Sequence, residues 1–390
     1  MSTSIRVCLL FIAIFSLRIF GLMLLMPVAA LYVPDYAGYQ PVFLGWVIGI
    51  YGFMQALFQL PLGVLSDRVG RKLVVLIGLG LLIIGSLIAY MATSVQGLII
   101  GRAIQGMGAI GSTIMAGLAD QTAPENRTMV MGGLGACIGL SFLGSLLLGP
   151  VIAQWGGMAS LFLLVAGIGG VAAILVWLLI PHMRPTERLS MSLSVWLPIV
   201  KQPVVWRLLL GIWSIHAIYT GLFSVLPTIL VVDMRVPIAQ HWVFYGAAIA
   251  WSLILTVPAV GTVDRWSAGR FYISVFTGLL ALGMVMIWLP SPSYSMRLCG
   301  MALFFSGFNF FESYLPAMIS KQAPDGARGM VMGVFSSCQF MGIFTGGLLS
   351  VVSHFIPSAY ALPGLMLFII IVWAIVGAGV PRLSSVKTAL

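Results

Sequence analysis

Long apolar runs dominate the chain, interrupted at short intervals by small clusters of charge, glycine and proline. Reading the runs between this polar punctuation predicts twelve helices, over about 7–33, 43–65, 73–93, 97–120, 129–153, 158–181, 207–231, 242–263, 271–290, 297–319, 330–353 and 360–380. Most match the roughly 20 residues that a helix needs to cross the hydrocarbon of a bilayer. No segment shows the period-2 alternation of an outer-membrane barrel strand. The first run carries Arg18 in its middle and lacks a cleavage site. It therefore reads as a helix and not as a signal peptide. No soluble domain is expected after residue 381.

Composition narrows the class further. Of 390 residues, 61% are hydrophobic and 7% charged, against roughly 25% charged in soluble domains. That excludes a water-soluble fold, a disordered chain and a nucleic-acid binder, and leaves an integral membrane protein. The net charge of +10 is explained by placement. With the N-terminus in the cytoplasm, fifteen of the 19 basic residues fall in cytoplasmic segments, only Arg235 and Arg297 in outer loops, and Arg18 and Arg102 inside the membrane. Basic residues collect on the inner side of spanning proteins, where an anionic leaflet attracts them. Both termini are therefore expected in the cytoplasm. Cys8, Cys137, Cys299 and Cys338 sit singly in apolar runs with no CxxC spacing. They read as small core hydrophobes, and no metal site or cofactor is expected.

The two halves repeat at an offset close to 200. Gly21-Leu22 and Pro27 correspond to Gly221-Leu222 and Pro227. Ala123-Pro124-Glu125, Arg127 and Met129 to Gly132 correspond to Ala323-Pro324-Asp325, Arg328 and Met330 to Gly333. Asp67-Arg68 corresponds to Asp264-Arg265. Each half is thus a six-helix unit, over 1–181 and 207–390, joined by a polar cytoplasmic linker at 182–206. The expected fold class is an all-α membrane protein with twelve transmembrane helices in two pseudo-symmetric bundles. Parallel repeats of this kind build one large class of transporters.

The sharpest motif lies between the second and third runs: Gly63-Val-Leu-Ser-Asp67-Arg68-Val-Gly70-Arg71-Lys72. An ordinary positive-inside loop would scatter Lys and Arg, without an Asp-Arg-x-Gly-Arg-Lys order at fixed spacing. The segment resembles the signature loop of the major facilitator superfamily. Gly101-Arg102-Ala-Ile-Gln105-Gly106 resembles that superfamily's second motif. Gly144 to Gly149-Pro150 resembles the kinked motif of its proton-driven antiporters, with Ala153-Gln154 where two glycines are usual. Leu17-Arg18-Ile-Phe-Gly21 with Pro27, and Phe308-Asn309-Phe-Phe-Glu312 with Leu315-Pro316, resemble the YajR-type branch of bacterial drug:proton antiporters, here without that branch's soluble C-terminal domain. The second signature loop, Asp264-Arg265 to Gly269-Arg270, is degenerate. Gly106-Met-Gly108-Ala-Ile-Gly111 matches GxGxxG but lies in a membrane helix with no preceding strand, so its glycines are read as places of close helix approach. Asn126-Arg-Thr128 is a sequon on the cytoplasmic side, and no GxxxxGK[ST] loop points to ATP.

Charges inside the spans are the candidate chemistry, because each costs about 2.5–3.5 kcal/mol or more to insert. Arg18 lies in the first span, Arg102 in the fourth, His216 in the seventh and Glu312 in the tenth. In the resembled fold these four helices line the central cavity. Glu312 is the only carboxylate deep in a span. At 1.5 Å per residue, Glu312, His216 and Arg18 lie roughly 12, 14 and 17 Å from the cytoplasmic ends of their helices, so they can share a layer. They are the candidate proton-coupling group, with Arg18 read either as the ion-pair partner of Glu312 or as a site for an anionic substrate. The candidate substrate cavity adds Arg102, Gln105, Tyr219, Phe223, Phe308 and Asn309. Gln55, Gln59 and Gln339 are read as interhelical hydrogen bonds. Gly63, Asp67, Arg68, Gly70, Arg71, Asp120 and Arg127 form a candidate cytoplasmic latch. By resemblance, Asp67 would meet the start of helix 11, Arg71 would pair with Asp120, and the cluster would stabilise the outward-open state.

The leading expectation is proton-coupled efflux of a small hydrophobic or amphipathic compound across a bacterial inner membrane, by a monomer and without enzymatic activity. The alternatives are a dedicated carrier of one metabolite, such as a siderophore or nutrient, and a transport-dead sensor.

Overall fold

In a computed structural model, the structure describes residues 3–122, 127–181, 198, 200–263, 269–290, 293–322, 328–356 and 358–379. Twelve helices form two pseudo-symmetric six-helix bundles. They are α1 Thr3–Met23, α2 Pro41–Val69, α3 Arg71–Met91, α4 (Val95–Met107 continued by Gly111–Gln121), α5 and α6, α7 Pro203–Phe223, α8 His241–Val263, α9 Gly269–Trp288, α10 Tyr294–Gln322, α11 Arg328–His354 and α12 Ala361–Gly377. α5 and α6 are one helical run, Arg127–Leu179, broken at Gly156 and Gly157, where Gly157 takes φ 65°. Nine of the described helices, counting that run once, are long and apolar enough to cross a membrane. α12 is shorter, and α10 falls outside that group. Large apolar side chains such as Trp155, Trp177, Trp251 and Phe271 face outward, as lipid contact requires.

The breaks in the helices follow the sequence. α1 ends at Met23 and turns through Pro27 before Ala29–Tyr32. α7 ends at Phe223 and turns before Leu226–Thr228, which contains Pro227. A proline has no N–H for the helical ladder and its ring clashes with the preceding turn, so the repeated proline breaks both halves in the same register. α4, expected as one span, is interrupted at Gly108. A Cβ on Gly106 would meet the Tyr51 carbonyl, and one on Gly108 the Gly78 carbonyl. The GxGxxG glycines therefore let α4 lean on α2 and α3. Gly70, between α2 and α3, takes φ 98°, a conformation that only glycine adopts readily.

The halves meet along α2 and α11. A Cβ on Gly45 would fall on the Gly347 carbonyl oxygen, one on Gly49 would meet Phe344, and one on Gly52 the Phe340 carbonyl. Small residues at such seams let helix backbones approach in lipid. Gly45 and Gly347 lie at the end of the molecule that carries the α1–α2 and α7–α8 connections, here called the distal end. There Ala29–Tyr32 packs on Leu226–Thr228, and the run holding α5 and α6 packs on Ile238–Gln240. The opposite end carries Asp67 and Arg71 and is called the latch end. The expected linker at 182–206 falls mostly outside the described residues, and α7 already begins at Pro203.

Candidate functional site

Each half carries one polar cluster in its interior. In the second half, His216 of α7, Glu312 of α10 and Gln339 of α11 converge. His216 Nδ1 faces the Ile212 carbonyl oxygen at 3.1 Å, one turn back on its own helix. Gln339 Nε2 donates to Glu312 Oε1 at 3.1 Å and lies 2.9 Å from His216 Nε2. Glu312 Oε2 is 3.6 Å from His216 Nε2 and has no hydrogen-bond partner among the described residues. The His216 side chain is 3% exposed and that of Glu312 is 31% exposed, although the Glu312 Oε2 atom is itself buried.

On the distal side of Glu312 the space is filled by rings. Phe308, one turn before Glu312 on α10, stacks on Tyr219 at 4.8 Å between centroids and lies 5.6 Å from the His216 ring. Tyr219 touches Phe223 at 4.6 Å. Phe142, on α5 of the other half, enters this group. It lies 5.5 Å from Tyr219, 5.6 Å from Phe308 and 6.4 Å from Phe305. The halves therefore close over Glu312 with an aromatic plug. Tyr219, Phe223 and Phe308, all candidates for the substrate cavity, take part in it.

In the first half, Arg18 donates to Gln55 Oε1 at 2.7 Å and to the Tyr51 hydroxyl at 3.2 Å. Arg102 stands over the face of the same tyrosine, 4.6 Å from its centroid, a favourable place for a guanidinium. It also donates to Gln105 Oε1 at 3.0 Å and to the Val47 carbonyl at 3.3 Å. Gln105 in turn donates to Ser86 on α3 at 2.7 Å. Both arginines are buried. Among the described residues neither has a carboxylate within 4 Å.

Of the two readings of Arg18, the ion pair with Glu312 is corrected: Arg18 turns to Tyr51 and Gln55 within its own half, and His216 takes the place beside Glu312. Asn309 is also corrected. It donates to Ser252 on α8 at 3.0 Å and ties α8 to α10. A spacing of three residues turns a helix by about 300°, and the α8 contact decides where Asn309 points. Gln105 is likewise occupied between Arg102 and Ser86. Gln339, Tyr51, Gln55 and Phe142 are site residues that the sequence reading did not place there. A glutamine in an apolar span is a visible signal, but its partner depends on the rotation of its helix. Tyr51 and Phe142 carry no distinguishing signal.

The latch is built within the first half. Arg71, its side chain 5% exposed, pairs with Asp67 at 2.5 Å and with Asp120 at 3.3 Å. It also bonds the Ser66 hydroxyl, which donates to the Gly63 carbonyl at 2.7 Å. Gly70 supplies the turn that brings Arg71 back over the end of α2. Arg68 is exposed. The side chain of Arg127, the residues that precede α11 and the second signature loop at 264–268 lie outside the described residues. At the distal end, Arg297 of α10 pairs with Asp233 at 3.1 Å.

A family model described as Major Facilitator Superfamily matches residues 10–347. The inner membrane transport protein YajR of Escherichia coli (strain K12) is 35% identical over 344 residues, 86% of this chain and 74% of that protein. The class E tetracycline resistance protein of Escherichia coli is 27% identical, over 88% of this chain and 86% of that one. Among solved structures, the human organic anion transporter MFSD10 aligns with a TM-score of 0.71 at 16% identity, over 96% of this chain and all of that chain.

Proposed function

This chain belongs to the Major Facilitator Superfamily, a family of multi-pass membrane transporters of small molecules, and from that premise we propose that it exports a small hydrophobic or amphipathic compound in exchange for protons. The observation that carries this reading is Glu312. It is a carboxylate in the interior of a span, beside His216, on the latch side of an aromatic plug to which both halves contribute. A buried carboxyl titrates according to the water and charge around it. When the halves rock and the plug parts, the face that wets Glu312 changes, and with it the proton occupancy. Two half-bundles moving about a midplane site supply that change.

In this arrangement the distal ends are packed; toward the latch end α11 also rests on the Gly111–Gln121 part of α4, and a Cβ on Gly333 would meet Leu60 of α2. With the basic segments in the cytoplasm, the packed distal end is the outer end of a transporter in a bacterial inner membrane. The latch triad of Asp67, Arg71 and Asp120 is formed here too, which supports a role in bracing the first half. Rings on one wall and two buried guanidiniums on the other suit an amphipathic substrate with a polar or anionic group.

The test is transport in proteoliposomes under a pH gradient, with internal pH read by a dye and a substrate panel that starts from tetracycline, named in the class E resistance relative. Glu312→Gln should abolish substrate-dependent proton movement. Undiminished coupling in that variant overturns the assignment.

A further inference from the structure

We propose that the Gln339 amide is a positioning group that holds the His216–Glu312 pair in its unprotonated state and releases it when a proton arrives. This rests on the reading of Glu312 as the proton-coupling carboxylate and extends it to the group that sets the proton affinity of the site.

The hydrogen-bond directions carry the argument. A carbonyl oxygen only accepts, so the 3.1 Å contact of His216 Nδ1 with the Ile212 carbonyl places a hydrogen on Nδ1. The Gln339 amino group only donates. At 2.9 Å from His216 Nε2 it needs a lone pair there, so His216 is neutral in this arrangement. The second hydrogen of the same amino group goes to Glu312 Oε1 at 3.1 Å. One amide thus spends both of its hydrogens on two acceptors, an imidazole lone pair and a carboxyl oxygen. Both bonds favour the state in which His216 is neutral and Glu312 ionised.

A proton that enters from water lands on the pair in one of two places. On His216 Nε2 it would face an N–H across 2.9 Å, so the amide must turn its carbonyl oxygen toward the imidazolium. Glu312 then loses its donor, and its Oε2, already 3.6 Å from Nε2, becomes the ion-pair partner. On Glu312 the proton removes the charge that the amide bond stabilises. Either way the proton weakens the α10 arm of the Gln339 bridge, the bond to Glu312, while a proton on His216 leaves the α7 arm in place with its direction reversed. Gln339 is followed by Phe340, whose ring faces Tyr51 of the other half at 6.4 Å. The bridge therefore sits at the seam along which the halves must slide. The other titratable groups around it are Tyr219 of α7, within electrostatic reach of Glu312, and Tyr245 of α8 behind it. Cys338 neighbours Gln339 in sequence, and Arg18, Arg102 and Tyr51 form the cluster of the opposite half.

The experiment is an infrared difference titration of the purified full-length protein, following the Glu312 carboxyl band and the histidine ring bands against pH. The Glu312→Gln variant assigns the carboxyl band. The midpoint reported belongs to the pair. A hydrogen bond to a charged group contributes about 1.5–3 kcal/mol, and one unit of midpoint is 1.36 kcal/mol. Gln339→Met, of similar volume and with no donor, should therefore raise the first proton-uptake midpoint by about one to two units, and Gln339→Glu should raise it further. A midpoint within a few tenths of the wild-type value in either folded variant overturns the proposal and leaves Gln339 as an interhelical tie. The titration needs no substrate. Persistence of proton-driven transport in Glu312→Gln would defeat the functional reading while leaving this result standing, so the two failures are distinguishable.

Discussion

Removing the Phe142 ring should open the distal end. This ring is the contribution of the first half to the aromatic plug, and it meets Tyr219, Phe308 and Phe305 at 5.5, 5.6 and 6.4 Å. Aromatic pairs in this range contribute about 0.5–1.5 kcal/mol each beyond their buried area. Phe142 is only partly buried, so the lower half of the range applies, roughly 2 kcal/mol for the three pairs together. All three partners belong to the second half, so these contacts are lost when the halves separate. Phe142→Ala should then shift the equilibrium toward distal-open conformers by about thirtyfold. A closed population in excess by about a hundred to one would fall to about three to one. The assay is pulsed electron paramagnetic resonance between spin labels at Gln40 and Gln240, two exposed residues on opposite halves at that end, after the four native cysteines are replaced. A longer-distance component should grow in Phe142→Ala and not in Phe142→Tyr. An unchanged distance distribution refutes the plug as the element that keeps this end shut.

Further outcomes follow from the packing. Gly45→Val should block closure of the same end, because its side chain would occupy the place of the Gly347 carbonyl; cysteine-reagent access to distal sites should rise while the folded yield is kept. Arg71→Ala leaves Asp67 and Asp120 without their shared cation. Because Asp67 is 33% exposed, the expected loss is about 1–3 kcal/mol, below the 3–5 of a fully buried pair, seen as a lower melting temperature in detergent. Asn309→Ala removes one interhelical bond, worth about 0.6 kcal/mol on average in membranes, and should leave the pH dependence of transport unchanged. A changed pH profile would show that Asn309 acts on Glu312 and not only as a tie between α8 and α10.

Much of the architecture was legible in the chain. Twelve apolar runs, the repeated proline at positions 27 and 227, and the Asp67–Arg71 loop each map onto a described element, because each depends on local chemistry. A span needs apolar length, a proline breaks the ladder wherever it falls, and a glycine at position 70 permits a positive φ. Arg71–Asp120 was also legible, through the family motif. His216 and Glu312 stood out because an ionisable group in hydrocarbon is expensive, and the structure brings them to 3.6 Å.

Depth along each helix could be counted from sequence, but rotation about each helix axis could not. A soluble helix shows its inner face by a polar stripe opposite an apolar one. Here lipid and protein interior are equally apolar, so a helix such as α7, buried from Ser214 through Phe223, gives no sign of which way each side chain turns. Packing alone turned Arg18 toward Tyr51 and Gln55, sent Asn309 to Ser252, and set Gln339 between His216 and Glu312. The chain by itself determined what crosses the bilayer and which ionisable groups it carries there. The tertiary structure decided who faces whom, because in a medium that solvates every apolar face alike, only close contact between helices fixes their rotation.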